Sequence, residues 1–385
     1  MTRFPINRFQ SIPTPFYYYD LDLLASTLDI VRKSANAAGG DRFKVHYALK
    51  ANSNPAVLRP IAEAGFGADC VSGGEVLAAM RAGIPAEKIV FAGVGKTDAE
   101  ITLALKAGIG AFNVESEEEL AVINSIALSL DRKASVALRV NPNIDAHTHH
   151  YITTGLEENK FGIDMRLLPT IINDALAMEG IDLIGLHFHI GSQITDLTPY
   201  RILCERINSL VADITSKGVS LRSVNVGGGL GIDYDAPEIN PVAPFSEYFT
   251  IFAENLQLPE GTEVHFELGR AIVAQCGSLI SRVLYIKHGV DRRFAILDAG
   301  MTDLLRPALY QAWHKIVNIS DPDAPAETYD IVGPICESSD VFGTSRTLPA
   351  LNRGSLVAIL SAGAYGEAMA SGYNLRPLPQ AVSSL

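Results

Sequence analysis

The chain has 385 residues, more than one ordinary domain holds, and its composition of 48% hydrophobic and 19% charged residues is typical of a soluble enzyme. Its net charge of −12 without any Lys/Arg block argues against binding to nucleic acid or an anionic membrane, and no apolar run approaches the roughly 18 residues of a membrane span. Four cysteines without zinc or CxxC spacing, and an N-terminus without an apolar leader, predict a cytoplasmic protein with free thiols.

Short apolar runs rich in β-branched residues recur along the first 270 residues, with helical patterns between them. The first five runs begin at residues 44, 66, 88, 111 and 135, in steps of 22 to 24 residues, which is the length of one strand with one helix. The helical stretches carry apolar residues at i, i+3, i+4 spacing and end in Gly. The predicted strands are 44–49, 66–71, 88–93, 111–115, 135–140, 183–189, 223–227 and 263–267.

Strands that alternate with helices predict a parallel sheet with crossover helices, and eight such strands predict a closed (β/α)8 barrel of the TIM type. The alternative is an open doubly wound sheet, which would carry its glycine-rich turn after the first strand. Here the glycine cluster follows the seventh strand. We therefore predict an α/β barrel domain over 27–271.

The pattern changes after residue 271, where strand-like runs are separated by Gly, Pro and Asp rather than by regular helices. This pattern indicates a mostly antiparallel β-domain. The run at 12–20 is also typical of a strand, and we expect it to pair with the C-terminal sheet because the barrel is complete without it. The second domain is predicted to be a β-sandwich or barrel-like unit formed by 1–26 with 272–385.

Catalytic groups of barrel enzymes lie at the C-terminal ends of the strands, and Lys50 stands at the end of the first predicted strand. A buried ammonium is costly unless it is paired or neutral. Lys50 is therefore either a rim lysine that points to solvent or a nucleophilic amine that bonds covalently to a carbonyl group. The two interpretations are open at this point.

The sixth predicted strand carries His187 and His189 on one face. Each is either an ordinary core histidine, half of a metal pair, or an imidazole stacked on a flat cofactor. A metal needs further ligands, which the histidine cluster at 147–150 could supply, although that polar stretch is typical of a loop. We favour stacking over metal binding.

The loops after strands seven and eight are the usual phosphate site of this architecture. Gly227, Gly228 and Gly229 follow strand seven, and consecutive glycines let backbone N–H groups approach an anion closely. Gly269 and Arg270 follow strand eight and add an N–H group beside a cation. The two glycine sequences together predict a phosphate site.

Glu267 lies beside this predicted phosphate site, where a carboxylate repels the anion unless it contacts another part of the ligand. A phosphorylated pyridine resolves the conflict, because Glu267 would keep the ring nitrogen protonated while the glycines hold the phosphate. With Lys50 and a histidine of strand six, these groups describe a site for pyridoxal phosphate. The alternative is that Glu267 forms an ion pair with Arg270 or Arg139.

Several motifs resemble those of the alanine-racemase-like, barrel-type pyridoxal phosphate decarboxylases, and they lie at 47–52, 187–193, 227–229 and 267–270. Further motifs narrow the resemblance to the diaminopimelate decarboxylases, and they lie at 154–162, 306–310, 333–338 and 362–366. The resemblance extends over nearly the whole chain. One departure is Leu268, where the family usually has Pro.

The resemblance implies a fold type III enzyme in which Lys50 bonds to pyridoxal 5'-phosphate, His189 stacks on its ring and Glu267 contacts the ring nitrogen. The implied contacts of the phosphate and its surroundings are Ser192, Gly227, Gly228, Gly229, Gly269, Arg270 and Tyr365. The implied substrate contacts are Arg270, Arg306, Tyr310, Glu337 and Tyr365. Cys336 would donate the proton that replaces CO2, and the family is a homodimer in which the neighbouring subunit delivers Cys336 and Glu337.

A free cysteine such as Cys336 is otherwise often a small buried apolar residue. A thiol is protonated at neutral pH and can therefore act as a general acid. The neighbouring Glu337 and Asp340, in a turn that begins with Gly and Pro, favour the functional interpretation.

The implied reaction is decarboxylation of meso-2,6-diaminopimelate to L-lysine and CO2, the last step of lysine biosynthesis, by a carboxy-lyase without a metal. Arg306 can bind the distal carboxylate of that substrate with two hydrogen bonds, and Glu337 can meet the distal ammonium. The alternatives are a decarboxylase of carboxynorspermidine or of another basic amino acid, and a metal-dependent barrel hydrolase built on His187 and His189.

Overall fold

The computed structural model describes residues 4–144 and 160–384. The chain divides into two compact units, which we call the barrel unit and the sheet unit. The barrel unit holds Leu28–Gly231 and Pro244–Gly269, and the sheet unit holds the residues through Thr27, Ile232–Ala243 and those from Arg270 onward. The predicted boundaries at 27 and 271 differ from this division chiefly at Ile232–Ala243, which counts with the sheet unit.

Eight parallel strands of the barrel unit close on one another. Along the chain, β1 (Phe16–Tyr19) belongs to the sheet unit, and the barrel unit follows with β2 (Phe43–Ala48), β3 (Gly67–Cys70), β4 (Ile89–Phe91), β5 (Ala111–Val114), β6 (Ala134–Asn141), β7 (Ile163–Asp164), β8 (Ile181–His187), β9 (Ser223–Asn225) and β10 (Glu263–Leu268). The pairing order β2-β3-β4-β5-β6-β8-β9-β10 returns from β10 to β2. The predicted barrel and its eight strands are confirmed.

The two-residue strand β7 pairs beside β6, outside the closed barrel. It was not predicted, because two residues are too few to show a periodic pattern.

Helices alternate with the barrel strands, and local capping explains where several of them begin. After α1 (Ile6–Phe9) they are α2 (Leu21–Gly39), α3 (Pro55–Glu63), α4 (Gly73–Ala82), α5 (Asp98–Ala107), α6 (Glu117–Ser129), α7 (Leu168–Ala177), α8 (Thr198–Ser216) and α9 (Phe245–Asn255). Helix α5 begins with a capping box formed by Thr97 and Glu100 and ends at Gly108. Among the described residues, no helix combines the length and apolar character needed to cross a bilayer.

An aromatic cluster packs β10 against α9, and α9 against α8. The Phe266 ring lies 4.9 Å from that of Phe249 and 5.2 Å from that of Phe252, and the Tyr200 and Tyr248 rings are 5.0 Å apart. These tilted and edge-on contacts bury large rings and favour one packing geometry. They hold in place the strand that carries Glu267.

The strands of the sheet unit form one mostly antiparallel sheet. In addition to β1 they are β11 (Gly277–His288), β12 (Arg293–Leu297), β13 (Ile316–Asn318), β14 (Ala326–Val332), β15 (Val341–Pro349), β16 (Leu356–Ile359) and β17 (Gln380–Ser383). The unit also contains the short helices α10 (Arg270–Val273) and α11 (Arg306–Tyr310). Strand β1 pairs antiparallel with β11 and parallel with β17, which confirms the predicted pairing of the N-terminal strand.

His46 lies on β2 inside the barrel, and its pKa is lowered to about 3 by burial and by His265, whose ring stacks on it at 4.8 Å. An unfolded chain takes up this proton below about pH 6.5, and the folded chain does not. The free energy of unfolding is therefore expected to fall as the pH falls from about 6.5 to 3, by up to about 1.4 kcal/mol per pH unit for this residue. Thermal unfolding of His46→Gln should show a shallower pH dependence.

The matched control for this prediction is His288→Gln, because His288 is exposed. An equal acid sensitivity of the unchanged protein and His46→Gln would contradict the assignment to His46.

Candidate active site

The Lys50 amine lies at the end of the first barrel strand, beside a buried carboxylate. Lys50 occupies a 3-10 turn that directly follows β2, and its Nζ is 3.1 Å from Oδ2 of Asp69 on β3. The Asp69 side chain is fully buried, whereas that of Lys50 is 38% exposed. Burial and the nearby Glu267 raise the pKa of Asp69, and Lys50 opposes the rise. The amine is thus anchored on one side and accessible on the other.

Glu267 on β10 receives side-chain contacts from three other strands. Its Oε1 accepts hydrogen bonds from Asn113 on β5 at 2.9 Å and from Asn225 on β9 at 2.7 Å, and its Oε2 is 3.0 Å from Nε2 of His187 on β8. Since a carboxylate can only accept, His187 Nε2 must carry the proton it donates. Four strands therefore build one polar cluster inside the barrel.

The environment of Glu267 favours its ionised form. Burial by itself opposes ionisation, but His187 and Lys50 outweigh it and hold the pKa of Glu267 well below its ordinary value. The alternative ion pair with Arg139 is not formed, since Arg139 Nη1 pairs with Glu115 Oε1 at 2.7 Å. A buried and fully ionised carboxylate can stabilise a proton on a ring nitrogen placed against it.

His189 is held as a neutral imidazole. Its Nδ1 accepts a hydrogen bond from the Gly228 N–H at 3.3 Å, so this nitrogen carries no proton. Burial, Arg139 and Lys50 lower the pKa of His189 well below its ordinary value. A neutral imidazole can stack on the face of a flat aromatic group.

The three glycines form a close turn against β10. A Cβ on Gly228 would lie 1.8 Å from the Glu267 carbonyl oxygen, and Gly227 and Gly229 have φ values of +72° and +101°. The Gly227 N–H donates to Asn225 Oδ1, and that of Gly228 donates to His189. Within the described part of the chain, the Gly229 N–H has no acceptor, so it is the one best placed to receive an anion.

A second cluster, in the sheet unit, contains two buried arginines. The Arg270 Nη1 donates to the Tyr234 hydroxyl at 2.7 Å, and its guanidinium lies 5.0 Å from the Tyr365 ring centroid. The Arg306 guanidinium lies 4.9 Å from the Tyr234 ring centroid and contacts His314. Burial alone would lower the pKa of Arg270, but Tyr234, Tyr365 and Tyr310 together raise it. We call these residues the arginine cluster.

Cys336 and Glu337 lie on an exposed turn of the sheet unit. Asp340 organises the turn, since its carboxylate accepts hydrogen bonds from the backbone N–H groups of Ile335 at 2.7 Å and Met301 at 2.6 Å. The Cys336 N–H donates to Asn374, and the Glu337 carboxylate accepts from Tyr373. The Cys336 side chain is exposed and free, unlike that of a buried apolar cysteine.

The structure thus places the predicted site residues in two groups. The barrel unit holds Lys50, His189, Ser192, Gly227, Gly228, Gly229, Glu267 and Gly269, and the sheet unit holds Arg270, Arg306, Tyr310, Cys336, Glu337 and Tyr365. The motif at 154–159 and the histidine cluster lie outside the described residues. Among the residues that are described, no group of three or more His, Cys, Asp or Glu side chains could hold a metal.

Five residues of these clusters were not predicted, namely Asp69, Asn113, Asn225, Tyr234 and His314. Three of them are single polar residues within apolar strand runs, and a polar residue buried in a strand is a usable signal. His314 follows α11 and shows no such pattern.

The chain resembles proteins of known activity over almost its full length. The family model described as "Pyridoxal-dependent decarboxylase, pyridoxal binding domain" matches residues 27–274. The chain is 56% identical over 381 residues to the diaminopimelate decarboxylase of Bacteroides thetaiotaomicron, covering 99% of this chain and 98% of the relative. It is 42% identical to that of Aquifex aeolicus, covering 96% and 86%.

Among solved structures, the diaminopimelate decarboxylase of Helicobacter pylori complexed with L-lysine is 41% identical, with a TM-score of 0.92. The match covers 99% of this chain and 94% of that one.

Proposed function

Because the chain belongs to the pyridoxal-dependent decarboxylases, we propose that it converts meso-2,6-diaminopimelate to L-lysine and CO2 with pyridoxal 5'-phosphate as its cofactor. The observation that supports this chemistry is the buried Glu267 carboxylate, which contacts three side chains in the same unit as the Lys50 amine. The names of the relatives and the L-lysine bound in one of them support the choice of substrate.

The described residues fit this cofactor. Lys50 would bond to its aldehyde, Glu267 would hold a proton at the ring nitrogen, and His189 would lie on the ring face. The phosphate and its surroundings would be contacted by Ser192, Gly227, Gly228, Gly229, Gly269, Arg270 and Tyr365, with the Gly229 N–H the donor that lacks an acceptor among the described residues. When bound, the cofactor supplies an electron-poor ring that accepts the electron pair left by CO2.

The residues of the sheet unit would bind the substrate. Arg306 would bind the carboxylate that is not lost, Glu337 would bind the ammonium beside it, and Arg270, Tyr310 and Tyr365 would complete the contacts. Cys336 would give its thiol proton to the carbon that has lost CO2. Its exposure on a turn fixed by Asp340 supports a thiol that is presented to a ligand.

The substrate is tested by measuring CO2 release and the visible absorbance of the purified, cofactor-loaded protein. We expect a visible band from the bound cofactor and CO2 release from meso-diaminopimelate at least about 100-fold faster, in kcat/KM, than from carboxynorspermidine or L-lysine. That factor corresponds to about 3 kcal/mol for binding the distal carboxylate. A preference for carboxynorspermidine would overturn the substrate assignment.

We propose that the protein works in the cytoplasm as a homodimer, with Cys336 and Glu337 acting in the partner's site. The exposure of the Cys336 and Glu337 side chains supports their use in a partner's site. The free cysteines support the location in the cytoplasm. Lys50→Ala and Cys336→Ala chains should each be nearly inactive as homodimers, and mixing them should restore activity up to a quarter of that of the unchanged protein, because half of the dimers are mixed and each has one complete site. Mixed dimers without regained activity would show that each chain uses its own Cys336.

A further inference from the structure

Arg306 is a buried cation without an anionic partner. Arg306 is the first residue of α11 and is 5% exposed. None of the ion pairs among the described residues includes it. Its Nε is buried and has no hydrogen-bond acceptor in the described part of the chain. A buried guanidinium is costly unless an anion approaches it. The arrangement is therefore suited to an anionic ligand.

His314 fixes the orientation of this guanidinium. Its Nδ1 is 2.8 Å from the Leu360 carbonyl oxygen and its Nε2 is 2.6 Å from Arg306 Nη1. The carbonyl can only accept and the guanidinium can only donate, so His314 must carry its proton on Nδ1 and leave Nε2 bare. The imidazole is fully buried and neutral, and burial with Arg306 lowers its pKa well below the ordinary value.

The backbone between the two residues brings them together. Helix α11 is capped at its C-terminus by Gln311, which has a left-handed conformation with φ of +52°, and the Ala312 N–H donates back to the Arg306 carbonyl. The chain thus reverses after one helical turn and returns His314 to the guanidinium. The imidazole also packs against the Tyr234 ring in an edge-to-face arrangement, at 5.1 Å between ring centroids.

His314 accepts a hydrogen bond from Arg306 without cancelling its positive charge, which a carboxylate could not do. A carboxylate at position 314 would orient Arg306 equally well, but it would neutralise the guanidinium and compete with an incoming anion. We propose that His314 is a positioning residue that aligns Arg306 without neutralising it and so sets the preference for a ligand with a carboxylate at its distal end. This proposal rests on the proposed function, in which that ligand is diaminopimelate or its product.

L-lysine and cadaverine provide the test, because they differ only in the carboxylate that decarboxylation of diaminopimelate leaves in place. Calorimetric titration of the cofactor-loaded protein measures the ratio of their dissociation constants. We expect the unchanged protein to prefer L-lysine by about 10-fold or more, as for a hydrogen-bonded charge pair. His314→Glu should abolish this preference, and His314→Gln, whose amide can accept from Arg306 and donate to Leu360, should keep it within about threefold.

Steady-state kinetics supply the second readout. His314→Glu is expected to raise KM for diaminopimelate by about 10-fold or more while kcat changes less, and His314→Gln is expected to leave KM nearly unchanged. If His314→Glu fails to fold, as judged by thermal unfolding, the comparison of His314→Ala with His314→Gln decides, since only the glutamine restores the contact with Arg306.

The outcomes separate this proposal from the proposed function. An equal loss of L-lysine preference in His314→Gln and His314→Glu, or no preference in the unchanged protein, overturns the role of His314. Absence of CO2 release from diaminopimelate overturns the proposed function, while the binding ratios still decide whether His314 prepares Arg306 for a carboxylate.

Discussion

Replacement of Lys50 by alanine is expected to abolish the visible absorbance band of the purified protein and to lower kcat for diaminopimelate by about 10⁴-fold or more. Lys50 carries the amine that is proposed to bond to the cofactor, and a reacting group held in position contributes an effective molarity on the order of 10⁵ M or more. Borohydride reduces the bond between the amine and the cofactor and so makes it permanent. Peptide mapping of the unchanged protein should then find the cofactor on the peptide that contains Lys50.

Removal of Lys50 also affects Asp69, whose fully buried carboxylate is 3.1 Å from the amine. Lys50→Ala therefore removes a cation from a buried pair and is expected to destabilise the fold. Lys50→Arg keeps a cation beside Asp69 but cannot bond to an aldehyde under the same conditions. Loss of the absorbance band in Lys50→Arg would thus report on the missing amine rather than on unfolding.

The matched control is Lys44→Ala on the same strand. Lys44 lies at the start of β2, is 42% exposed and has Nζ 3.7 Å from Glu263 Oε1, an exposed pair of small energetic value. The Lys44→Ala protein should keep both the visible absorbance band and the decarboxylase activity. A labelled peptide without Lys50, or a band that survives in Lys50→Ala, would place the reactive amine elsewhere.

The barrel was predictable because its signals are local. Each strand is a short apolar run, and helices such as α5 carry their own start and stop signals in Thr97, Glu100 and Gly108. The end of the first strand, where Lys50 stands, follows directly from that pattern. A barrel places its chemistry at such strand ends, so the position of Lys50 follows from the fold alone.

The polar cluster around Glu267 was not predictable in the same way. Asn113 and Asn225 lie on strands far apart in sequence, and an amide in an apolar strand does not reveal which carboxylate it meets. Their convergence depends on the register of β5, β9 and β10 around the closed barrel. The three glycines could also be predicted only in part. Consecutive glycines predict accessible N–H groups, but the sequence does not show that Asn225 and His189 accept hydrogen bonds from two of these groups.

In the sheet unit, the pairing of strands that are remote in sequence could not be predicted from sequence patterns. Strand β17 pairs with β1 from the opposite end of the chain, and β15 alternates irregularly between buried and exposed residues. Neither strand was predicted. Nothing in the spacing of Arg306 and His314 indicates a hydrogen bond, which depends on the reversal at Gln311.

Neutralisation of Glu267 is expected to have the second large effect. Glu267→Gln should lower kcat by about 10²- to 10³-fold. Enzymes lose about this much when one group that stabilises the charge of the transition state is removed. Glu267 is proposed to hold a proton at the ring nitrogen, and a neutral amide cannot stabilise that proton. KM should change much less than kcat, and the absorbance maximum of the bound cofactor should shift and become dependent on pH.

The same substitution disturbs the hydrogen bonds inside the barrel. Glu267 accepts from Asn113, Asn225 and His187, whereas a glutamine offers one oxygen and turns an N–H₂ group toward at least one of these donors. A buried donor without an acceptor costs about 1 to 3 kcal/mol. Thermal unfolding of Glu267→Gln should reveal this cost, and kinetics should be measured well below its Tm.

Two further variants separate charge from packing. Glu267→Asp keeps the negative charge but withdraws it by one methylene, so its kcat should lie between those of the unchanged protein and Glu267→Gln. Glu263→Gln, at the exposed start of the same strand, removes a carboxylate that pairs with His265 and Lys44, and it should leave kcat and the absorbance spectrum unchanged. If Glu267→Gln kept the spectrum and a kcat within about threefold of the unchanged protein, the ionised carboxylate would serve the stability of the barrel alone, and the proton at the ring nitrogen would need another source.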